Sequence, residues 1–221
     1  MFDEISPSYD RMNHLMSAGQ DLRWRKKAVQ YLSSIETKYK YILDLASGSG
    51  DFGREFMKLN PDLLFSADFS IEMLKINRNK IKNTNNCLLK ADAENLPFQD
   101  CFFDICGISF GIRNFEKLEL CLKEIHRVLN INGLFFIIEM FKPLHTNLFN
   151  RTFKQYFNKF VPLVGNLVSH SKYAYNYLHS SVDNFISVDS FISIAENNGF
   201  SLINRYSNFS DIVYSVCLKK F

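Results

Sequence analysis

Several classes of protein are excluded by what the sequence lacks. No apolar stretch reaches the ~18 residues that a membrane-spanning helix needs, and the first 30 residues carry too many charges for a secretory signal. The five cysteines include no C-x-x-C pair, and several of them fall in apolar runs where a small buried residue fits. We therefore expect a reduced, cytoplasmic protein whose contact with a membrane is at most peripheral.

Acidic residues are also missing from residues 140–182, although the whole chain carries a net charge of only +3. The segment contains five cations: Lys142, Arg151, Lys154, Lys159 and Lys172. The rest of the chain therefore has a net charge of −2. Between residues 149 and 160, five aromatic residues share one face of a predicted helix. Residues 144–172 are thus expected to contact an anionic membrane at its inner face, to line an apolar tunnel, or to pack their aromatic face on the sheet.

Nucleic acid is not an expected partner. No basic patch interleaved with base-stacking aromatic residues lies near the predicted catalytic strands, and no Pro-Pro-Tyr type of loop follows the fourth strand. The oligomeric state is left open by the sequence.

The remaining composition is that of one globular domain, with 221 residues, of which 47% are hydrophobic and 22% charged. Short apolar runs alternate with helix-period segments between residues 40 and 142, which predicts parallel strands joined by helices. With two further β-like runs near the C-terminus, the predicted strands number seven, and we expect a single Rossmann-like α/β domain with a mostly parallel seven-stranded sheet and helices on both faces. Strands are predicted at 41–46, 63–68, 87–90, 102–109, 134–140, 201–206 and 212–218, and helices at 51–59, from 70, at 115–129 and at 188–197.

Four parts of this domain are expected to differ in role. Residues 1–39 are predicted to form an N-terminal helical lid, and residues 40–142 a cofactor-binding core. The rhythm of strands and helices breaks over residues 143–184, which predicts an insertion facing substrate or lipid. Residues 185–221 are predicted to add a helix and a pair of strands.

A glycine-rich turn follows the first strand, in residues 42–51 (ILDLASGSGD). Open α/β sheets bind nucleotides at this place, and Gly48 and Gly50 allow a ligand to approach the backbone closely. Gly48, Gly50 and Gly53 also satisfy the G-x-G-x-x-G pattern, and Asp68 lies 20 residues after Gly48, as in a dinucleotide site. The turn therefore predicts either S-adenosylmethionine or NAD.

Acidic residues favour S-adenosylmethionine. Asp44 precedes the turn and can receive an ammonium group, which methionine has and a pyrophosphate lacks. Asp51, directly after Gly50, would repel a pyrophosphate at the start of the next helix. Asp92 follows the third strand and offers an acceptor for the amino group of adenine.

With these motifs in place, the sequence closely resembles the quinone C-methyltransferases of ubiquinone and menaquinone biosynthesis, over almost its whole length. The resemblance includes YDRMN at 9–13, LDLA at 43–46, SIEML at 70–74 and AENLPF at 93–98. Its most specific stretch is ISFGIRN at 108–114, supported by RVL at 127–129 and by Glu139. It implies a class I S-adenosylmethionine-dependent methyltransferase whose cofactor contacts fall on Ser49, Asp68, Asp92, Ala93 and Ser109. Ser49 stands where the family usually has Thr, and His14 where it usually has Asp.

The implied reaction is C-methylation of a polyprenylated quinol ring. Arg113 is the expected catalytic cation that stabilises the phenolate, because its charged fork follows the fourth strand. Tyr9, Asp10 and His14 are the candidate bases, with a surface role for all three as the alternative. Two other functions stay open: methylation of another small or lipid-like acceptor, and a non-catalytic scaffold of the quinone pathway.

Overall fold

The computed structural model describes residue 10 and residues 13–82, 85–143, 181–182 and 184–221. Its strands are β1 (Tyr41–Leu45), β2 (Leu63–Asp68), β3 (Asn86–Lys90), β4 (Phe103–Ser109), β5 (Leu129–Met140), β6 (Phe200–Phe209) and β7 (Val213–Lys220). Its α-helices are α1 (Gln20–Ile35), α2 (Asp51–Phe56), α3 (Ile71–Lys80), α4 (Leu118–Val128) and α5 (Val188–Asn197). Short 3₁₀ turns follow α2 (Met57–Leu59) and β4 (Ile112–Asn114).

The strands form one sheet in the order β3-β2-β1-β4-β5-β7-β6. The pairs β1–β2, β1–β4, β2–β3 and β4–β5 are parallel, whereas β7 runs antiparallel to both β5 and β6. The predicted fold, a mostly parallel seven-stranded sheet, is confirmed. Because the chain leaves β1 to one side for β2 and later returns to its other side for β4, a crevice opens at the carboxyl ends of β1 and β4.

Each face of the sheet is covered by a hydrophobic cluster. Successive residues of a strand point to opposite faces, so Leu43 of β1 belongs to one cluster and Ile42 to the other. The first cluster includes Ile125 of α4 and Phe191 of α5, and the second includes Leu32 of α1. Helix α1 is therefore part of the core, although it lies within the range predicted to form a lid.

The helix boundaries follow the predicted signals. The side chain of Ser70 caps α3 by accepting a hydrogen bond from the Met73 amide at 3.2 Å, as expected from its place before the helix. Gly199 lies just after the end of α5 and has a φ of 87°, a left-handed conformation that favours glycine. Sequence signals of this kind depend on neighbours in the chain, which is why they placed these ends well.

The largest difference from the prediction lies between α4 and β5. The sequence suggested a helix up to Leu129 and a strand from 134, but β5 already begins at Leu129, and its pairing with β4 shifts register between Phe103 and Ile105. Asn132, with a φ of 67°, lies in the irregular stretch. Residues 130–133, between the predicted helix and the predicted strand, are thus an irregularity inside one long strand. Leu129 is buried whether it ends a helix or begins a strand, so its burial could not decide between the two.

The predicted aromatic and basic segment, residues 144–172, lies outside the described residues. Within the described part of the chain, no helix is both long and apolar enough to cross a membrane.

Candidate functional site

A cavity of about 570 Å³ opens at the carboxyl ends of β1, β2 and β4. Seven of the eight residues predicted to bind the cofactor line it: Asp44, Gly48, Ser49, Asp68, Asp92, Ala93 and Ser109. The eighth, Gly50, does not line it. The turn after β4 borders the same cavity through Phe110, Gly111 and Asn114. The cofactor motifs and the most specific stretch of the sequence therefore meet at one site.

The two glycines of the turn after β1 have different roles. Both have positive φ, 52° for Gly48 and 91° for Gly50. A Cβ on Gly48 would meet no atom within 4 Å, so its face is open toward the cavity. A Cβ on Gly50 would lie only 2.6 Å from Cγ of Asn77, a fully buried residue of α3. Gly48 thus leaves room for a ligand, whereas Gly50 leaves room for the packing of α3.

Asp44 is an isolated acid inside the protein. Only 1% of its surface is exposed, and its Oδ2 has no hydrogen-bond partner among the described residues. Burial raises the pKa of Asp44 to about 8, although the Gly53 amide and the Arg25 charge oppose the shift. A buried acceptor without a partner is costly unless a ligand completes it. The ammonium group of S-adenosylmethionine fits this acid, because it supplies both a donor and a positive charge.

Gly53 explains why the sequence also resembles a dinucleotide site. A Cβ at this position would lie 2.9 Å from Oδ2 of Asp44 and 3.0 Å from Cδ1 of Ile81. The third glycine of the pattern is therefore required by close packing of α2 over the buried acid. That requirement does not depend on which nucleotide binds.

Asp68 and Asp92 extend the acidic edge beyond β1. Asp68 Oδ2 accepts a hydrogen bond from the Gly48 amide at 2.7 Å, so the end of β2 holds the turn after β1 in place. Asp92 Oδ1 accepts from the Glu94 amide at 2.9 Å. Phe69, an exposed aromatic residue next to Asp68, also lines the cavity. Carboxylates flanking an aromatic ring suit a ribose and an adenine, which offer hydroxyl and amino donors and a flat surface.

Lys80, at the end of α3, was not found by sequence reasoning. Its Nζ donates to Asp10 Oδ2 and to Asp51 Oδ1, each at 2.7 Å, and to Ser49 Oγ at 3.0 Å. Asp10 also accepts a hydrogen bond from the Ser49 hydroxyl. Burial alone would raise the pKa of Asp51, but the bond to Lys80 and its charge lower it, so this acid stays ionised. Lys80 thus ties an N-terminal residue to the cofactor turn.

Arg25, in α1, was also not identified from the sequence. It lines the cavity with 6% of its surface exposed. Its Nε donates to Ser109 Oγ at 3.1 Å and its Nη1 to Asp21 Oδ2 at 2.5 Å. The helix spacing of four residues between Asp21 and Arg25 was the available signal, since such pairs face one another. Nothing local indicated that this pair faces the end of β4.

Arg113 lies in the turn after β4, as predicted, but its charge is already paired. Nη1 donates to Glu139 Oε1 at 2.5 Å and to the Phe110 carbonyl at 3.0 Å, and Nε donates to Ser181 Oγ at 3.4 Å. Glu139 is fully buried, and the Arg113 side chain is 8% exposed. Arg113 is not among the residues that line the cavity, and Nη2 donates to no described residue. Its role toward a substrate stays a prediction.

The three candidate bases are placed differently. Tyr9 lies outside the described residues. Asp10 borders the cavity and bonds to Ser49 and Lys80. His14 lies between two acids, with Nδ1 at 2.8 Å from Asp21 Oδ2 and Nε2 at 3.5 Å from Asp51 Oδ2, and does not line the cavity.

Comparison with known proteins gives a consistent result. A sequence model described as the ubiE/COQ5 methyltransferase family matches residues 1–218. The chain is 39% identical over 204 residues to the demethylmenaquinone methyltransferase of Chlorobaculum tepidum, covering 90% of this chain and 82% of the relative. It is 34% identical to the ubiquinone/menaquinone biosynthesis C-methyltransferase UbiE of Campylobacter jejuni, covering 100% and 95% of the two chains.

Solved structures support the fold. The crystal structure of a SAM-dependent methyltransferase from Aquifex aeolicus superimposes with a TM-score of 0.63 at 16% identity, covering 88% of this chain and 89% of that one. At this identity the likeness concerns the fold alone.

Proposed function

Because this chain belongs to the ubiE/COQ5 methyltransferase family and is an S-adenosylmethionine-dependent methyltransferase, we propose that it methylates a ring carbon of a polyprenylated quinol, in menaquinone or ubiquinone biosynthesis. One observation carries the proposal. The turn after β4, with Phe110 and Asn114, borders the same cavity as the cofactor residues Asp44 and Ser109. An acceptor held by this turn would therefore lie beside the methyl donor.

The residues around the cavity can hold S-adenosylmethionine. Asp44 would receive the ammonium group, Asp68 the ribose hydroxyls, and Asp92 and Ala93 the adenine. When bound, the cofactor would supply an activated methyl group, and its sulfur would keep the electron pair of the bond to that group. The protein's part is then to align the two reactants, and alignment can provide ~7 to 11 kcal/mol of the barrier.

The acceptor must first become nucleophilic. A ring carbon of a quinol gains electron density when the neighbouring phenol loses its proton, and an ordinary phenol has a pKa of about 10. We assign the stabilisation of the resulting phenolate to Arg113, through Nη2, the part of the guanidinium that donates to no described residue. Glu139 would hold the fork in a fixed orientation.

We assign the base to Asp10, because it is the one candidate among the described residues that borders the cavity. Both ring nitrogens of His14 face carboxylates, so a positioning role near α1 suits it better. Asp10 would take the phenolic proton, and the methylated ring carbon would then lose its own proton to water, which restores the aromatic ring.

The direct test is an assay with demethylated quinols and S-adenosylmethionine labelled in its methyl group. Transfer of label to the ring of demethylmenaquinol, or of a demethylated benzoquinol, is the expected result. Extraction of quinones from cells that lack the protein should show the demethylated precursor accumulating. Tight cofactor binding with no transfer to any quinol would contradict the proposal and favour the scaffold.

A polyprenylated acceptor resides in a membrane, so the enzyme must reach one. We propose that residues 144–172 make peripheral contact with an anionic bilayer. The support is the sequence: within residues 140–182 five cations stand without an acid, close to five aromatic residues.

A further inference from the structure

Arg25 is a buried cation whose position is fixed on several sides. Ser109 accepts from its Nε at 3.1 Å and Asp21 from its Nη1 at 2.5 Å, and the Phe110 ring lies 5.5 Å from its Cζ. Within the described part of the chain, Nη2 has no acceptor. The guanidinium is thus held at the edge of the cavity with one donor nitrogen left to bind a ligand.

Asp21 offsets the cost of burying the Arg25 charge, but it accepts a hydrogen bond from only part of the guanidinium. Its carboxylate also accepts from Ser17 Oγ at 2.6 Å. Burial alone would raise the pKa of Asp21, but the Arg25 charge and the bonds from Ser17 and Arg25 lower it, so the acid remains ionised. The pair is neutral overall, and the direction of the free Nη2 is set by the protein before any ligand arrives.

The methionine end of S-adenosylmethionine brings two opposite charges into the cavity. Asp44 suits the ammonium group, and the α-carboxylate needs a cation or several donors. Of the described residues lining the cavity, Arg25 and Lys117 carry positive charge. Lys117 is exposed and bonded to Glu94 at 3.1 Å, on the side of Asp92.

The start of α2 is a poor alternative for the carboxylate. Asp51 stands in its first turn and stays ionised beside Lys80, so it would repel an anion. Arg25, in contrast, donates to Ser109 of β4, close to Gly107, which pairs with Asp44 in the sheet. A cation and an acid therefore lie at the same end of the cavity, as a zwitterion requires.

We propose that Arg25 binds the α-carboxylate of the cofactor's methionine part through Nη2, opposite Asp44, which binds the ammonium group. The inference rests on the proposed function, since it concerns the same cavity and its methyl donor. Arg25 would also connect the donor to the end of β4 through Ser109, so that one side chain of α1 touches both the cofactor and the strand that carries the acceptor turn.

Calorimetric binding of two ligands tests the proposal: S-adenosylmethionine, and decarboxylated S-adenosylmethionine, which lacks only the carboxylate. A hydrogen bond to a charged group contributes about 1.5 to 3 kcal/mol, which corresponds to about 10- to 150-fold in affinity. We expect Arg25→Ala to weaken the first ligand by that factor and to change the second less than about threefold. Arg25→Lys should restore part of the difference.

Arg23→Ala is the matched control, because it removes the same charge from an exposed position of the same helix. It should bind both ligands as the wild type does. If Arg25→Ala does not fold, Asp21→Asn/Arg25→Met removes both charges of the pair together and takes its place, with the melting temperature recorded for each variant.

Unchanged affinity for S-adenosylmethionine in the folded Arg25 variants would overturn the inference and leave the proposed function standing. An equal loss for both ligands would also overturn it, since Arg25 would then act only through the fold. A wild-type protein that binds neither ligand would overturn the proposed function itself.

Discussion

The buried acid Asp44 makes the stability of the folded protein depend on pH. The usual pKa of an aspartate is near 3.9, and burial raises that of Asp44 to about 8. Between these values the unfolded chain releases a proton that the folded, ligand-free protein retains. By linkage, this residue's contribution to stability falls as the pH rises from about 4 to about 8. We expect the melting temperature of the free protein to decline over this window more steeply than that of Asp44→Asn.

The same residue predicts how cofactor binding depends on pH. The ammonium group of S-adenosylmethionine favours the ionised carboxylate, so binding below about pH 8 must release a proton from Asp44. Affinity should rise with pH by up to about tenfold per unit below about pH 8. Calorimetry in buffers of different ionisation enthalpy measures the released proton. Asp44→Asn should bind more weakly and release no such proton; release that persists in this variant would assign it to another group.

A further prediction concerns the ion pair between Arg113 and Glu139. Arg113→Ala should abolish turnover while leaving affinity for S-adenosylmethionine nearly intact, because its side chain does not line the cavity. It leaves the fully buried Glu139 without its ion pair, which costs about 3 to 5 kcal/mol of unfolding free energy. Turnover and chemical denaturation measure the two effects.

A double variant separates these effects. Arg113→Met/Glu139→Gln removes both charges, so it should recover much of the lost stability and none of the turnover. Recovery of activity together with stability would show that Arg113 acts on the fold alone, and the assigned role toward the phenolate would be wrong.

Sequence reasoning placed the acids of the site but missed two of its cations. Asp44 lies near the end of the first predicted strand, Asp68 ends the second and Asp92 follows the third. Parallel strands end at the same edge of a sheet, so local patterns sufficed. Arg25 and Lys80 reach the site from helices, and their direction depends on how α1 and α3 pack. Packing over such distances leaves little trace in the spacing of residues along one segment.

At the scale of elements, the turn between β1 and α2 is held from both sides. Asp68 of β2 accepts from the Gly48 amide, and Asn77 of α3 packs against Gly50. Asn77 itself donates to Ser47 Oγ at 3.4 Å and accepts from Asn86 Nδ2 at 3.3 Å. The turn is therefore shaped by polar contacts among neighbouring elements, which preorganises it for the cofactor.

The two glycines of this turn should respond differently to substitution. Gly50→Ala places a methyl group against buried Asn77 and forces Ala to a φ of 91°, so it should cost about 2 to 4 kcal/mol of unfolding free energy. Gly48→Ala meets open space and should cost only about 1 to 2 kcal/mol. Its methyl group points to the cavity side, so it should weaken cofactor binding. Equal stability in both variants would contradict the packing role of Gly50.

Most strands of the fold were predicted correctly from the sequence, but the start of β5 was not. Strand β2 has the predicted bounds, and β1, β3 and β4 differ from the prediction by one residue. The start of β5 was missed, because Leu129 fits the helical period of α4 and is buried on either assignment. Pairing with β4 decides its structure, and that contact is far away in the sequence.

At the scale of the whole molecule, acidic and basic residues are concentrated in different parts of the chain. The cavity edge carries acids that suit an ammonium group, a ribose and an adenine, whereas the chain between 140 and 182 carries cations alone. The two regions would meet different parts of the reaction, a soluble methyl donor and a membrane-bound acceptor.

The cations of residues 140–182, which stand without an acid, predict salt-dependent membrane binding. In flotation with liposomes, the protein should bind vesicles rich in anionic lipid at low salt and detach as the salt concentration rises, because exposed charges are screened beyond ~8 to 10 Å near physiological ionic strength. Each cation near the surface contributes about 1 kcal/mol, so Lys154→Glu/Lys159→Glu should abolish flotation. Lys38→Glu/Lys82→Glu, at exposed positions outside the segment, makes the same charge change and should float like the wild type. Equal loss in both pairs would indicate a response to net charge, and no flotation of the wild type on anionic vesicles would eliminate membrane contact.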